Sequence, residues 1–382
     1  MPATTDISYF SADYPAARKV FLSAAQALIR EKSAGALDSF QVPSRRDREL
    51  FVDFLDLPAK KSRDTLLAVV SGVHGLETYA GSAIQQMLLK EILPTLDTDS
   101  TGIFLAHAMN PFGFKYGRRA TENNVNLNRN FSASADLFKF RNTGYRRYAE
   151  FVKPRRKAGN PLLSCARLAA GFGVEVASGR QTLGKLIETL AQGQFEFADG
   201  IEFGGFRHEP QTEYFMQALA KAAQGYRDVI VMDLHTGLGD KYQLHLIPGT
   251  TDRSVHPELR ARFLRSEEDA DICAYSPQTS EGFYITHGDL NNMIPDLLTG
   301  EQKCLGVTME FGTLGSDPWA KLQGWNRIIL ENQGFHHDYA SERIRARVAR
   351  DFAALSYPVD DRWKESVLTK ARSLLQRILQ RI

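Results

Sequence analysis

Cysteine is scarce in this chain. Cys165, Cys273 and Cys304 are the only three in 382 residues, and they are scattered. An odd, dispersed set suits neither a disulfide framework nor a Cys-based zinc site. Long apolar runs are missing as well. None approaches the roughly 20 residues that a bilayer-spanning helix needs, so no membrane partner is expected. Excess charge is absent: the net charge is +2, too near neutral to argue for nucleic acid. Local basic clusters, Arg146-Arg147 and Lys153 to Lys157, read as a solvated face. Met1 to Asp6 shows no basic stretch leading into an apolar one, so no signal peptide is expected and a cytoplasmic location follows. No Pro/Gly/Ser-rich linker, repeat or low-complexity tract divides the chain, and a single domain over 1–382 is expected. What the chain does contain, 43% hydrophobic and 24% charged residues, describes a globular protein with a full core.

Two chemistries are also short of their motifs. No Gly-x-Ser-x-Gly elbow is present, which disfavours a serine hydrolase. The stretch Gly179-Arg180-Gln181-Thr182-Leu183-Gly184-Lys185-Leu186 resembles a phosphate-binding loop, but Leu186 stands where a magnesium-binding Ser or Thr is needed.

Apolar runs of strand length alternate with helical patterns. Residues 13–31 read as an amphipathic helix, and strands are expected near 50–57, 65–71 and 103–107. A helix from about 81 to 93 is stopped by Pro94. From about 132 to 225 helical patterns dominate, as an insertion or lid beside a sheet. Strands return at Val229 to His235, Leu244 to Ile247, Ile272 to Tyr275 and Leu305 to Glu310, and helices fill the chain after Trp319. The pattern predicts an α/β fold, a central mixed, mostly parallel sheet flanked by helices with a helical insertion.

Four segments carry chemistry. Val73-His74-Gly75-Leu76-Glu77 follows the apolar run Leu66 to Val70, at a strand end where open α/β sheets gather their sites. His74 and Glu77 can ligate zinc; alone, they read more readily as a turn and a helix cap. Asp233-Leu234-His235-Thr236-Gly237 ends a second apolar strand and offers a third ligand. Together these form a His₂Glu set that leaves one position open for water; iron in an oxygenase triad is the competing use. Asn110-Pro111, then Arg118 through Phe131, places arginines on either side of an Asn-rich loop, suited to binding anionic groups. Val307-Thr308-Met309-Glu310-Phe311-Gly312 puts a carboxylate at a late strand end, where it can act as general base and then general acid.

In this order the motifs resemble the zinc carboxypeptidase superfamily, which includes succinylglutamate desuccinylase and aspartoacylase-like deacylases. The wording Ser-Gly-Val-His-Gly-Leu-Glu, Asn-Leu-Asn-Arg-Asn-Phe, Asp-Leu-His-Thr-Gly and Met-Glu-Phe-Gly-Thr is most similar to a bacterial branch, DUF2817. The resemblance runs from about Leu66 to Trp319. It implies Zn²⁺ held by His74, Glu77 and His235, with Glu310 activating the zinc water. It implies Arg119 as the oxyanion residue, with Arg118 the alternative in register. Asn128 and Arg129 would bind a substrate carboxylate, and Tyr284 would contact substrate.

One position departs from the family. Asn126 stands where an aspartate usually orients a zinc-bound histidine. An amide oxygen accepts the imidazole N–H but raises its basicity less than a carboxylate does. Asp233, on the same strand face as His235, is placed to compensate elsewhere. The expected activity is zinc-dependent hydrolysis of an amide bond beside a carboxylate. The substrate would be a small peptide, as for a carboxypeptidase, or an N-acyl amino acid. A third reading, a non-enzymatic binding protein on the same fold, has Asn126 in its favour and Glu310 against it.

Overall fold

A strand as apolar as Leu66-Leu67-Ala68-Val69-Val70 is stable only if both of its faces are covered. The computed structural model, which describes residues 6–179, 182–249, 254–264, 272–274, 286–298 and 300–382, shows how this is done. Its strands are β1 (Ala36–Gln41), β2 (Phe51–Leu57), β3 (Thr65–Ser71), β4 (Thr101–His107), β5 (Asp228–Gly237), β6 (Leu244–Pro248), β7 (Ile272–Ala274) and β8 (Lys303–Gly312). They form one sheet in the order β1-β2-β4-β3-β5-β8-β6-β7. The centre, β4-β3-β5-β8, is parallel throughout. β1 and β2 add antiparallel strands at one edge, and β6 joins β8 antiparallel at the other. This is the mixed, mostly parallel sheet that the alternating pattern predicts.

Successive side chains on β3 point to opposite faces, and each set meets its own layer of helices. Leu67 and Val69 join a core with Phe21 and Leu28 of helix Tyr14–Lys32, Ile84 of helix Thr78–Met87, and Trp363 and Leu368 of helix Asp361–Gln380. Leu66, Ala68 and Val70 join Phe215 and Leu219 of helix Pro210–Ala222 and Met293 of helix Leu290–Leu297. The C-terminal helix shows why it docks. Trp363, Val367, Ala371, Leu374, Leu375 and Ile378 recur at helical spacing and are all buried, forming one apolar stripe.

The segment 132–225 is helical as expected, with Thr143–Val152, Pro161–Ala177, Leu183–Ala191 and Pro210–Ala222. The first three share a small core of Tyr145, Tyr148, Leu168, Phe172, Leu186 and Leu190, closed by Leu322 and Ile329 of helix Pro318–His337. Three details differ from expectation. β1 was not anticipated, because as an edge strand it buries none of its residues. The helix expected from Gly81 already starts at Thr78, and its end loosens into a wider five-residue turn over Leu88–Ile92 before Pro94. Of the strand expected at Ile272 to Tyr275, Tyr275 lies outside the described residues. Among the described residues no helix is long and apolar enough to cross a membrane.

Candidate metal centre

The turn after β3 is wedged against the loop that carries the arginines. Gly75 N–H and Leu76 N–H donate to the carbonyls of Arg119 and Arg118, both at 3.2 Å. A Cβ on Gly75 would sit 2.2 Å from the Gly113 carbonyl carbon and 2.3 Å from the Arg118 oxygen. Only glycine permits that approach, so the His-Gly-x-Glu spelling has a steric cause. Glu77 takes the N-cap position of helix Thr78–Met87 yet makes no capping bond. Its carboxylate turns instead to four other groups, His74, His235, the Thr236 N–H and Arg119, which removes the simple cap reading.

Those groups define the site. Glu77 Oε1 lies 3.0 Å from His74 Nδ1, and Oε2 lies 2.9 Å from His235 Nδ1. The two Nδ1 atoms are 3.1 Å apart. Thr236 N–H donates to Glu77 Oε2 at 3.0 Å. The outer nitrogens are taken by acceptors: His74 Nε2 faces Asn126 Oδ1 at 3.0 Å, and His235 Nε2 faces Asp233 Oδ2 at 2.6 Å. An acceptor on Nε2 favours a proton there and leaves the Nδ1 lone pair facing inward. All three side chains are buried, and they form a group able to hold a metal ion. Tetrahedral ligation at about 2.0–2.1 Å sets donors roughly 3.3 Å apart, close to the spacing found. The residues therefore fit a metal.

β5 and β8 bring Glu310 beside His235, its register partner. Glu310 Oε1 accepts the Leu238 N–H at 2.8 Å. Burial, reinforced by the nearby Glu77 charge, pushes the Glu310 carboxyl up to about 8. Burial holds His74 down to about 4, with the Arg119 charge as the next cause. Burial alone would lower His235, but Asp233 and Glu77 overcome it and raise it well above the usual imidazole value. Glu77, which burial alone would raise, is drawn well below the carboxylate range by His74 and His235.

A cavity of about 200 Å³ opens onto the group, lined by His74, Glu77, Arg119, Asn128, Arg129, Glu202, His235 and Glu310. Arg119 donates through Nη1 to Glu77 at 3.0 Å and through Nε to Glu202 at 3.3 Å. Arg118 points elsewhere. It is buried against Glu331 at 2.6 Å and Asn124 at 3.0 Å, with its guanidinium 3.4 Å above the Phe335 ring. The structure thus places Arg119 at the cavity and Arg118 behind it, bracing the loop. Asn128 lines the cavity while its Oδ1 accepts the Leu290 N–H at 3.1 Å. Arg129 also lines it, but its three nitrogens are engaged by the Ala191 and Asn128 carbonyls and Glu202. Tyr284 lies outside the described residues.

The sequence reading missed Glu202. It is buried, at 4% exposure, and sits between Arg119, Arg129 and Asn126. A signal was available: Ile201-Glu202-Phe203-Gly204-Gly205 repeats the Glu-Phe-Gly of Glu310, and its paired glycines do not suit a helix. The Asn run has a structural use as well. Asn124 Nδ2 holds the Ala198 and Gly200 carbonyls, Asn126 N–H the Phe203 carbonyl, and Asn130 Nδ2 the Gly204 and Arg207 carbonyls. Alternate asparagines staple the insertion to the site.

No curated protein matches the chain. Several solved structures are similar to it. Thrombin activatable fibrinolysis inhibitor is 15% identical, over 94% of this chain and 78% of its own, with a TM-score of 0.43. A metallo-carboxypeptidase from Burkholderia cenocepacia is 12% identical, over 82% and 67%, with a TM-score of 0.42. Carboxypeptidase A from Helicoverpa armigera is 11% identical, over 85% and 71%, with a TM-score of 0.41. The family model described as Protein of unknown function (DUF2817) matches residues 10–370, and the chain belongs to that family.

Proposed function

We propose that this protein is a zinc-dependent hydrolase that cleaves an amide bond next to a substrate carboxylate, in the manner of a carboxypeptidase. One observation carries the reading. Two imidazole Nδ1 atoms and the Glu77 carboxylate converge within 3.1 Å of one another, at the wall of a cavity that also holds Glu310 and Arg119. Mixed N/O donors with both Nε2 atoms occupied suit zinc.

When bound by His74, Glu77 and His235, zinc would supply Lewis acidity and a water acidified towards neutrality. The remaining work falls to the chain. Glu310, its carboxyl pushed up to about 8 by burial, can hold a proton at neutral pH; a nearby cation favours its charged form. It would take a proton from the attacking water and return it to the leaving nitrogen. Arg119 keeps Nη2 free of protein partners among the described residues, and so can donate to oxygen as negative charge develops on the carbonyl. Asn128 and Arg129, both in the cavity wall, would receive the substrate carboxylate.

A second reading is an N-acyl amino acid deacylase. The size of the cavity and the wall built by Ile187 and Ala191 of the insertion favour a small substrate. Elemental analysis of purified protein beside His235→Ala tests the common core. About one zinc per chain, lost in the variant, is expected, and blocked dipeptides compared with N-acyl amino acids would then separate the two substrates. No zinc in either protein after zinc addition would reject the hydrolase and leave a binding protein on this fold.

A further inference from the structure

Asn126 is the one position at which the metal group lacks the carboxylate usual behind its first histidine. The structure shows a carboxylate one hydrogen bond further back, behind the Asn126 amide. Asn126 Oδ1 lies 3.0 Å from His74 Nε2, and Asn126 Nδ2 donates to Glu202 Oε2 at 2.8 Å. We infer that Glu202 is the positioning carboxylate of this centre, acting on His74 through the Asn126 amide. The inference rests on the metal site proposed above.

The amide can be read in one orientation only. A carboxylate accepts and a backbone N–H donates. Glu202 therefore demands Nδ2 on its side. Independently, the Asn128 N–H, 2.9 Å from Asn126 Oδ1, demands the oxygen on the other. With Oδ1 facing His74, Nε2 must carry the proton, and Nδ1 keeps its lone pair for a metal. A flipped amide would present N–H to Nε2, move the proton to Nδ1 and block ligation.

Glu202 is built into that place. Arg129 Nη2 holds Oε2 at 2.9 Å and Arg119 Nε holds Oε1 at 3.3 Å. Its backbone has φ +54°, a region that non-glycine residues seldom occupy. Gly204 follows because a Cβ there would lie 2.6 Å from the Arg129 carbonyl oxygen. The same carboxylate thus orients the arginine at the cavity and the amide behind the histidine. It also explains why asparagine stands at 126: an aspartate there would set two carboxylates about as close as the present 2.8 Å contact.

The prediction is reciprocal. Asn126→Asp and Glu202→Gln should each weaken zinc binding about 10- to 100-fold in chelator competition. Asn126→Asp combined with Glu202→Gln restores one carboxylate and one amide in exchanged places, and should return affinity to within about threefold of the parent. Far-UV circular dichroism and melting without metal check folding; if Asn126→Asp fails to fold, a folded double variant of parental affinity supports the same conclusion. Parental affinity in Asn126→Asp, or a double variant as weak as both single losses combined, would overturn the inference. A readout without metal separates it from the hydrolase proposal. Imidazole ¹⁵N resonances of His74 should show the Nε2–H form in the parent and the double variant, and keep it in Glu202→Gln, where the Asn128 N–H still fixes the amide. An Nδ1–H form in the parent overturns the inference whether or not zinc binds.

Discussion

Glu310 differs from the candidate ligands in what its neighbours ask of it. No hydrogen bond ties it to His74, Glu77 or His235, while Leu238 N–H orients one of its oxygens. Glu310→Gln keeps that bond and the shape but cannot carry the proton. Turnover should fall about 10²- to 10⁴-fold with zinc content unchanged, and activity retained in the variant would remove Glu310 from the mechanism. His107, on the other side of the sheet, is a buried imidazole with a stability role. It stacks on Phe21 at 4.3 Å and meets Ser82 Oγ at 2.9 Å, and burial holds it down to about 3. Above the unfolded value of about 6.5 both states are neutral and His107 contributes no pH dependence. As pH falls from there towards 3, the unfolded chain takes up a proton that the folded chain refuses, so stability is lost. His107→Gln should flatten urea-measured stability between pH 7 and 4 by up to about one proton; equal slopes in the two proteins would contradict this.

The elements that hold the site are the central strands and the turns at their carboxyl ends. β3, β5 and β8 were legible because strands buried on both faces are continuous apolar runs, and His74, His235 and Glu310 were legible because each ends such a run. The loop 110–130 was not. Its Arg-Arg pair reads as two equivalent donors until the Gly75 turn fixes which carbonyls face inward. Gly75→Ala should push this loop away, lowering stability by about 1–3 kcal/mol and weakening zinc binding as Arg119 loses Glu77. An alanine variant with unchanged melting and affinity would show that the wedge gives way. The Asn-rich loop reads only as a binder of anionic groups; that Asn124 and Asn130 hold the insertion was not legible, since their partners are backbone carbonyls about 70 residues or more away.

At the scale of the molecule, the site joins distant parts: the turn after β3 and the end of β5 supply the candidate ligands, the insertion supplies Glu202 and the wall at Ile187, and helix Pro318–His337 supplies Trp325 and Ile328. A metal bound only by the folded chain stabilises all of these together. Zinc at about a thousand times its Kd should add roughly 4 kcal/mol. With an unfolding entropy near 2 cal/mol/K per residue, that raises Tm by about 5 °C; no shift would mean the group binds no zinc in the folded state. The amino-acid sequence by itself determined the α/β class, the central strands and the three ligand candidates, because burial pattern and strand-end position are local properties of the chain. Only the tertiary structure decided that Arg119 and not Arg118 faces the cavity, that Arg129 is already paired, and that Glu202 stands behind Asn126. Those are contacts between segments up to 213 residues apart in the chain. Side-chain direction in such loops is set by what packs against them, and no local periodicity records it.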